Sequence, residues 1–458
     1  MRVKEIIKIT HGKLLSGDPD IEIALSKIST DSRTINVGEF FLALDGANFN
    51  GSDFIDTAFK KGAIGALGMY FPSIFHNERR VRIKVKDSTK ALQDIAFHHR
   101  MKFKIPVVAV TGSNGKTTVK EMLWKVLSTR YEVLKNEGTK NNHIGLPQTL
   151  LKLTEDHDIC VLELGANHKG EIRNLANIAR PTIALITNIG PSHLEFFHDL
   201  NGVYEAKKEI IESLDEKNSK LIINGDDEFL SKIKSNRFKI VKFGLKESND
   251  FWADMLSMED GKIKFILNEG VEFELNLLGI HNVYNALSAI VLARQFNIGY
   301  KQIKKAISEY RPSSMRLGLS KINGIVIMND SYNSNPLSMR YALEAIKYYP
   351  ARARWVVAGD MLELGPRNIE FHEMMGEAIA KSRIEGLLTF GKLSKYILRQ
   401  AKRSGMDRKN LWHCSTHDEI ANILKRVAKK GDAVLLKGSR SMRLEEVIEK
   451  LKAQSVGT

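Results

Sequence analysis

Cysteine is scarce: Cys160 and Cys414 are the only two thiols in 458 residues. Two distant cysteines exclude a disulfide framework and a zinc-binding cysteine cluster. Cys160, inside Ile159-Cys160-Val161-Leu162, reads as a core thiol. No apolar run approaches the ~20 residues that a membrane span requires. The opening Met1-Arg2-Val3-Lys4-Glu5-Ile6-Ile7-Lys8 lacks the apolar core of a signal peptide. A cytoplasmic protein with reduced thiols and no integral membrane contact is therefore expected. Internal repeats and low-complexity tails are also missing. So is any Lys/Arg block interleaved with aromatics, although Lys and Arg outnumber Asp and Glu by 69 to 54, a net charge of +15. That excess favours anionic partners, but without such a block it reads as a solvated basic surface and no nucleic-acid partner is expected.

What is present suits a multidomain globular protein. The hydrophobic share is 43%, ample for folded cores, and the length suggests about three domains at roughly 150 residues each. Residues 1–103 form a first, small α/β unit. It has strand-like runs at 39–44 and 81–85, a helix-like stretch at 53–61, and a turn-rich piece, Asp45-Gly46-Ala47-Asn48-Phe49-Asn50-Gly51. Residues 104–310 form a second unit. Buried-strand runs at 105–110, 159–164, 182–187 and 220–223 alternate with helical patterns such as 119–129, the signature of a parallel sheet covered on both faces. A third unit, 311–458, starts at Tyr310-Arg311-Pro312-Ser313-Ser314. Strands at 325–328, 354–358, 386–390 and 433–436, with helices at 337–347 and 372–381, predict a Rossmann-like, doubly wound sheet. The expected fold class is α/β in three domains.

Thr111-Gly112-Ser113-Asn114-Gly115-Lys116-Thr117-Thr118 follows a buried strand and opens a helix. Glycines there let backbone N–H groups face a phosphate, and the helix N-terminus adds positive potential. Lys116 would reach the terminal phosphates, and Thr117 or Thr118 would offer a hydroxyl to Mg²⁺. The spacing is G-x-x-G-K-T, with Val110 where the longer phosphate loop has its first glycine. Glu163 ends a strand, where open α/β sheets place ligands, and is a natural Mg²⁺ ligand. His193 lies just beyond another strand end. Lys207, in Tyr204-Glu205-Ala206-Lys207-Lys208, reads by spacing alone as a solvated lysine on a charged helix face. Asn282 and Asn285 share one face of a helix start and suit either phosphate or base contacts or helix capping.

This constellation resembles the Mur ligases of peptidoglycan synthesis. Residues 111–118 match that family's T-G-[ST]-[NS]-G-K-[ST]-[ST] signature throughout, so the short loop is the family's own form. The match continues at Glu163, His193, Lys207, His281-Asn282 to Asn285, Arg316 and Asp330. Asp330-Ser331-Tyr332-Asn333-Ser334-Asn335-Pro336 and Gly359-Asp360-Met361-Leu362-Glu363-Leu364-Gly365 resemble the branch that adds D-alanyl-D-alanine; Ser334 stands where Ala is usual. Thr30-Asp31-Ser32-Arg33, with the stretch from Asn48 to Phe54 that holds Asn50 and Gly51, resembles a UDP-binding domain.

The resemblance implies an ADP-forming ligase of peptidoglycan precursor synthesis, acting on UDP-N-acetylmuramoyl-tripeptide, D-alanyl-D-alanine and ATP through an acyl phosphate. Residues 1–103 would bind the UDP-muramoyl substrate, 104–310 ATP, and 311–458 the dipeptide. Gly112 to Thr118, Asn141, Asn142, Asn282, Asn285, Arg316 and Asp330 would serve ATP. Thr117 and Glu163 would hold one Mg²⁺; His193 and a carbamylated Lys207 would serve a second. Lys116, His193 and Lys207 are the expected catalytic set, with Asn333, Asn335, Lys437 and Arg440 on the dipeptide side, in a monomer. Rival readings are a sister ligase adding the third amino acid, a folylpolyglutamate synthase-like ligase and, more remotely, an ATP-dependent nucleic-acid-binding protein.

Overall fold

The structure, a computed structural model, describes residues 1–46, 49–71, 79–214, 218–259, 261–312 and 315–453. Ala47 and Asn48 of the turn-rich piece, and Ser313 and Ser314 at the start of the third unit, lie outside the described residues. The chain builds three sheets in sequence order. Among the described residues no helix is long and apolar enough to cross a membrane.

The first sheet has β1 (Lys13–Ser16), β2 (Ile28–Ser29), β3 (Phe40–Leu42), β4 (Gly65–Gly68) and β5 (Val81–Lys84), in the order β1-β5-β4-β3-β2. β1 runs antiparallel to β5 and the rest are parallel. The helix Ser88–Arg100, capped by the Asp87 side chain on Lys90 N at 2.8 Å, leads into the second unit.

The central sheet has β6 (Val107–Thr111), β7 (Val133–Lys135), β8 (Ile159–Glu163), β9 (Ile183–Ile186), β10 (Lys220–Asn224), β11 (Lys239–Gly244), β12 (Phe251–Glu259), β13 (Lys262–Leu267) and β14 (Glu272–Leu275). Its order is β14-β13-β12-β11-β10-β9-β6-β8-β7. β6 is buried at every residue. Val108 and Val110 join one core with the helices Lys116–Leu127 and His281–Gln295, and Val107 and Ala109 join the other with Glu171–Ala179. This two-sided burial explains the continuous apolar run. The expected parallel sheet is present from β7 to β12 and carries an extension that the sequence runs did not reveal: β12, β13 and β14 pair antiparallel. β13 alternates exposed and buried residues, the pattern of a one-sided strand, which a search for apolar runs passes over. The chain leaves β8 and crosses β6 to reach β9, so the sheet's switch point lies at the carboxyl end of β6, where open α/β sheets bind ligands.

The third sheet has β15 (Gly318–Ile322), β16 (Ile325–Asp330), β17 (Arg354–Gly359), β18 (Gly386–Phe390), β19 (Leu411–Cys414) and β20 (Ala433–Lys437), ordered β15-β16-β20-β17-β18-β19. All neighbours are parallel except β15 with β16. The pairing register sets Asp330, at the end of β16, opposite Lys437, at the end of β20.

Candidate active site

The loop after β6 is shaped by two left-handed glycines, Gly112 (φ 136°) and Gly115 (φ 85°). A Cβ on Gly112 would lie 2.0 Å from Thr187 Oγ1, and one on Gly115 2.3 Å from Asn285 Oδ1, so only glycine fits either position. The loop is braced from the β9 side: Ser113 Oγ donates to Gly190 O at 2.9 Å, and Asn188 Oδ1 accepts from Asn114 N at 3.0 Å. Lys116, first residue of the helix Lys116–Leu127, folds back to donate to Gly112 O (2.7 Å) and Ser113 O (3.1 Å). Desolvation, with Arg316 nearby, pulls its ammonium down to about 8 against the opposing pull of Glu163.

Glu163, at the end of β8, is buried. Thr117 Oγ1 donates to its Oε2 at 2.8 Å and Asn141 Nδ2 to its Oε1 at 2.7 Å. Asn136 clamps its backbone, accepting from Glu163 N at 2.9 Å and donating to Glu163 O at 3.0 Å. Lys120, one turn beyond Lys116 and fully buried, donates to Asn136 O and Gly138 O, both at 2.7 Å, and stands 3.8 Å from Glu163 Oε2. Lys120 and Asn136 were missed in the sequence; the i, i+4 spacing from Lys116 was the one available signal. Among the described residues no three His, Cys, Asp or Glu side chains converge into a metal cage. The hydroxyl of Thr117 and the carboxylate of Glu163, however, form a hard-oxygen pair suited to Mg²⁺.

Lys207 corrects the expectation drawn from spacing. It lies in the last turn of the helix Leu200–Lys208 with 1% of its surface exposed, over the Phe197 ring, and donates to Ala166 O at 3.1 Å. Burial first, then repulsion from Lys116, draws its ammonium down to about 7, opposed by Glu171 and Glu209. His193, in a left-handed conformation (φ 53°) before the short helix Leu194–Phe197, lines a cleft with Lys116 and Glu163, and meets the Glu363 carboxylate through Nδ1. Desolvation and the cations Lys207 and Lys116 hold its imidazole below the usual range, against Glu363. Glu363 lies in a segment already singled out, but nothing in the sequence paired it with His193.

The third unit closes the site. Arg316 Nη2 donates to Thr117 Oγ1 at 2.9 Å, with its guanidinium over the Tyr332 ring. Asn335 caps the helix Pro336–Tyr348 through Ser338 N and donates from Nδ2 to Asn114 Oδ1 at 2.9 Å. Lys437, 1% exposed, holds Asp330 at 2.5 Å and Asn333 O at 3.0 Å. Asn285 Nδ2 donates to Asn282 Oδ1 at 3.0 Å and Asn282 Nδ2 to Leu278 O at 2.7 Å, so neither amide caps its helix. Beside them His281 stacks on Tyr341 with centroids 4.7 Å apart.

These residues line one cleft of about 670 Å³: Ser113 to Thr118, Asn141, Asn142, Glu163, His193, Asn282, Asn285, Arg316, Asp330, Asn333, Asn335 and Lys437 all face it, with Gln93 from the first unit. A phosphate cradle, a carboxylate–hydroxyl pair and several cations thus converge in one place. Other expected residues stand apart. Arg440 is exposed and pairs with Glu445. Arg33 clasps Asp31 with two bonds, 2.9 and 2.8 Å, and holds its carboxyl down at about 2. Asn50 Oδ1 accepts from Ser52 N, and Gly51 N donates to Asp45. Ser32 is buried in the same unit. Thr30 touches the second unit, accepting from Gln148 Nε2 at 2.6 Å.

Models of three consecutive Mur ligase domains match the chain: the family's catalytic domain at 25–100, its middle domain at 110–293, and its glutamate ligase domain at 315–440. The UDP-N-acetylmuramoyl-tripeptide–D-alanyl-D-alanine ligase of Bacillus subtilis is 36% identical over 98% of both chains. A crystal structure of MurF from Acinetobacter baumannii superposes with a TM-score of 0.88 at 28% identity, covering 98% of each chain. MurF from Thermotoga maritima, solved in complex with ADP, superposes at 0.84 and 28% identity over 95% of this chain and 99% of that one. Family models match all three units and the likeness runs along the full length, so the chain belongs to the Mur ligase family.

Proposed function

We propose that this protein uses ATP to join D-alanyl-D-alanine to UDP-N-acetylmuramoyl-tripeptide, giving UDP-N-acetylmuramoyl-pentapeptide, ADP and phosphate. The observation that carries the reading is the seating of the third unit on the phosphate loop, through Asn335 of the Asp330–Pro336 segment on Asn114 and through Arg316 on Thr117. The full-length likeness to ligases named for this reaction supports it. In this reading residues 1–103 hold the UDP-muramoyl group, 104–310 the ATP, and 311–458 the dipeptide. The enzyme works as a monomer in the cytoplasm.

The chemistry follows from a poor acyl donor. Hydroxide is a poor leaving group, so a terminal carboxylate oxygen of the tripeptide first attacks the γ-phosphorus and ADP leaves. The dipeptide's amine then attacks the acyl carbon. A tetrahedral intermediate forms, the amine loses its proton, and phosphate departs as the peptide bond is made. Both steps depend on positioning and charge neutralisation. Lys116, released from the carbonyls of Gly112 and Ser113, neutralises the transferring phosphoryl group, and the loop N–H groups hold its neighbours. Asp330 takes ribose hydroxyls, Asn282 and Asn285 the base or phosphates, and Arg316 the phosphate charge. Thr117 and Glu163 would hold one Mg²⁺, and His193 and Lys207 a second; the ions supply charge neutralisation at the phosphates. For Lys207 that role needs an anion. Its neutral amine, favoured by burial, adds to CO₂ and releases a proton to give a carbamate, an oxygen ligand.

Purified protein given UDP-N-acetylmuramoyl-tripeptide, ATP and Mg²⁺ is expected to release phosphate only when D-alanyl-D-alanine is added. Equal release with a single amino acid or with glutamate would overturn the reading.

A further inference from the structure

We infer that Glu363, a residue of the third unit, is a positioning residue that fixes the ring orientation and tautomer of His193 across the boundary with the central unit. The inference rests on the reading that His193 works in the ligase cleft. The Glu363 carboxylate meets Nδ1 of His193. An ionised carboxylate only accepts hydrogen bonds, so Nδ1 carries the proton and Nε2 keeps its lone pair. His193 lines the cleft, which makes Nε2 the nitrogen available to a ligand there.

The surrounding backbone is built around this contact. Glu195 N donates to Glu363 O at 3.1 Å. Gly365, at φ +65°, packs so closely that a Cβ on it would lie 3.3 Å from Leu194 O and from Glu195 Cα. Both partners are left-handed, His193 at φ 53° and Glu363 at φ 60°, a conformation that residues other than glycine rarely adopt. Strain on both sides of one contact needs a compensating reason. Stability is a poor one, because the Glu363 side chain is 43% exposed and exposed ion pairs contribute little. Orientation is a better one: a carboxylate behind an imidazole sets which nitrogen is free and where it points. The consequence is a dependence between units. His193 is held ready only while the third unit is docked.

The test uses full-length protein labelled with ¹⁵N at histidine, without nucleotide, at a pH above the ordinary imidazole value of ~6.5. His193 is assigned by the signal lost in His193→Gln. Long-range ¹H–¹⁵N spectra are expected to show Nδ1–H in the wild type, a switch to Nε2–H in Glu363→Ala, and retention of Nδ1–H in Glu363→Gln, whose amide oxygen still accepts. In the ligation assay Glu363→Ala is expected to lose about 10- to 100-fold in kcat, with each KM moving less than about threefold, and Glu363→Gln to recover most of the loss. An Nε2–H wild type, or an unchanged spectrum in Glu363→Ala, would overturn the inference. A tautomer switch in a protein that never ligates D-alanyl-D-alanine would overturn the functional reading and leave the positioning role standing.

Discussion

Lys207→Met should remove a pH dependence of stability that the buried ammonium imposes. The Lys207 pKa falls from 10.5 to about 7 on folding, chiefly through burial. Between those values the unfolded chain binds more protons than the folded one, so unfolding free energy rises with pH. Below about pH 7 both states are charged and the whole penalty applies. Integrated between pH 7 and pH 9, the shift amounts to about 2 kcal/mol of added stability for the one residue. Lys116, lowered to about 8, acts in the same direction. Cys160, raised to about 12 by burial, acts in the opposite direction above its ordinary value of 9.0. Comparing wild type with Lys207→Met cancels both. Urea unfolding of the two proteins at pH 7, 8 and 9, in bicarbonate-free buffer, should show the wild type gaining about 2 kcal/mol more than the variant. Parallel pH profiles would refute a depressed Lys207. The same shift leaves about half of the amine neutral at pH 7, against roughly one part in three thousand for an ordinary lysine. With ¹³C-bicarbonate the wild type should therefore show a carbamate carbon resonance that Lys207→Met lacks.

Gly115→Ala puts a Cβ 2.3 Å from Asn285 Oδ1 at φ +85°; it should cost about 1–3 kcal/mol on unfolding and weaken ADP binding at least about tenfold by calorimetry, and wild-type affinity would remove the loop from the nucleotide site. Lys116→Ala should cut dipeptide-dependent phosphate release by about 10³-fold or more; retained turnover counts against the phosphate loop. Lys120→Met leaves the carbonyls of Asn136 and Gly138 without their buried donor and should cost about 2–5 kcal/mol of unfolding free energy, so a loss under about 1 kcal/mol contradicts its structural role.

Legibility in the sequence followed burial on two faces. β6, β8 and β20 are buried at every position, so their apolar runs stood out. β15 did not, because Gly318–Ile322 is an edge strand with only Ile322 buried, and Gly-Leu-Ser-Lys-Ile carries no pattern. Site residues behaved similarly. Gly112 and Gly115 were readable because a phosphate loop needs positive φ at fixed spacing. Lys120 was not, because a buried lysine on two carbonyls has the same letter as a solvated one. Glu363 and His193 are 170 positions apart and meet only when two sheets dock. Lys207 shows the limit most clearly: its helix neighbours Glu205 and Lys208 pair in solvent, and the burial of Lys207 is set by Phe197 and the Ala166 carbonyl, which local spacing cannot reveal.

The charges in the cleft and of Lys207 buried near it act on one another. Lys116 is depressed partly by Arg316, Lys207 partly by Lys116, and His193 partly by both lysines. Buried cations that lower one another are unstable without a counter-charge. Glu163 supplies one and is itself committed to Thr117 and Asn141. Asp330 is committed to Lys437. Glu171 and Glu209 oppose the shift of Lys207 and Glu363 that of His193, yet all three cationic groups stay depressed, so the positive charge is only partly offset where the phosphate loop opens, and a triphosphate would relieve it further. That relief is strongest for a highly charged ligand and for the phosphoryl group in transfer, which accumulates charge beside Lys116. Field and fold act together here: Arg316 comes from the third unit, so docking that unit adds its guanidinium to the positive wall beside Thr117.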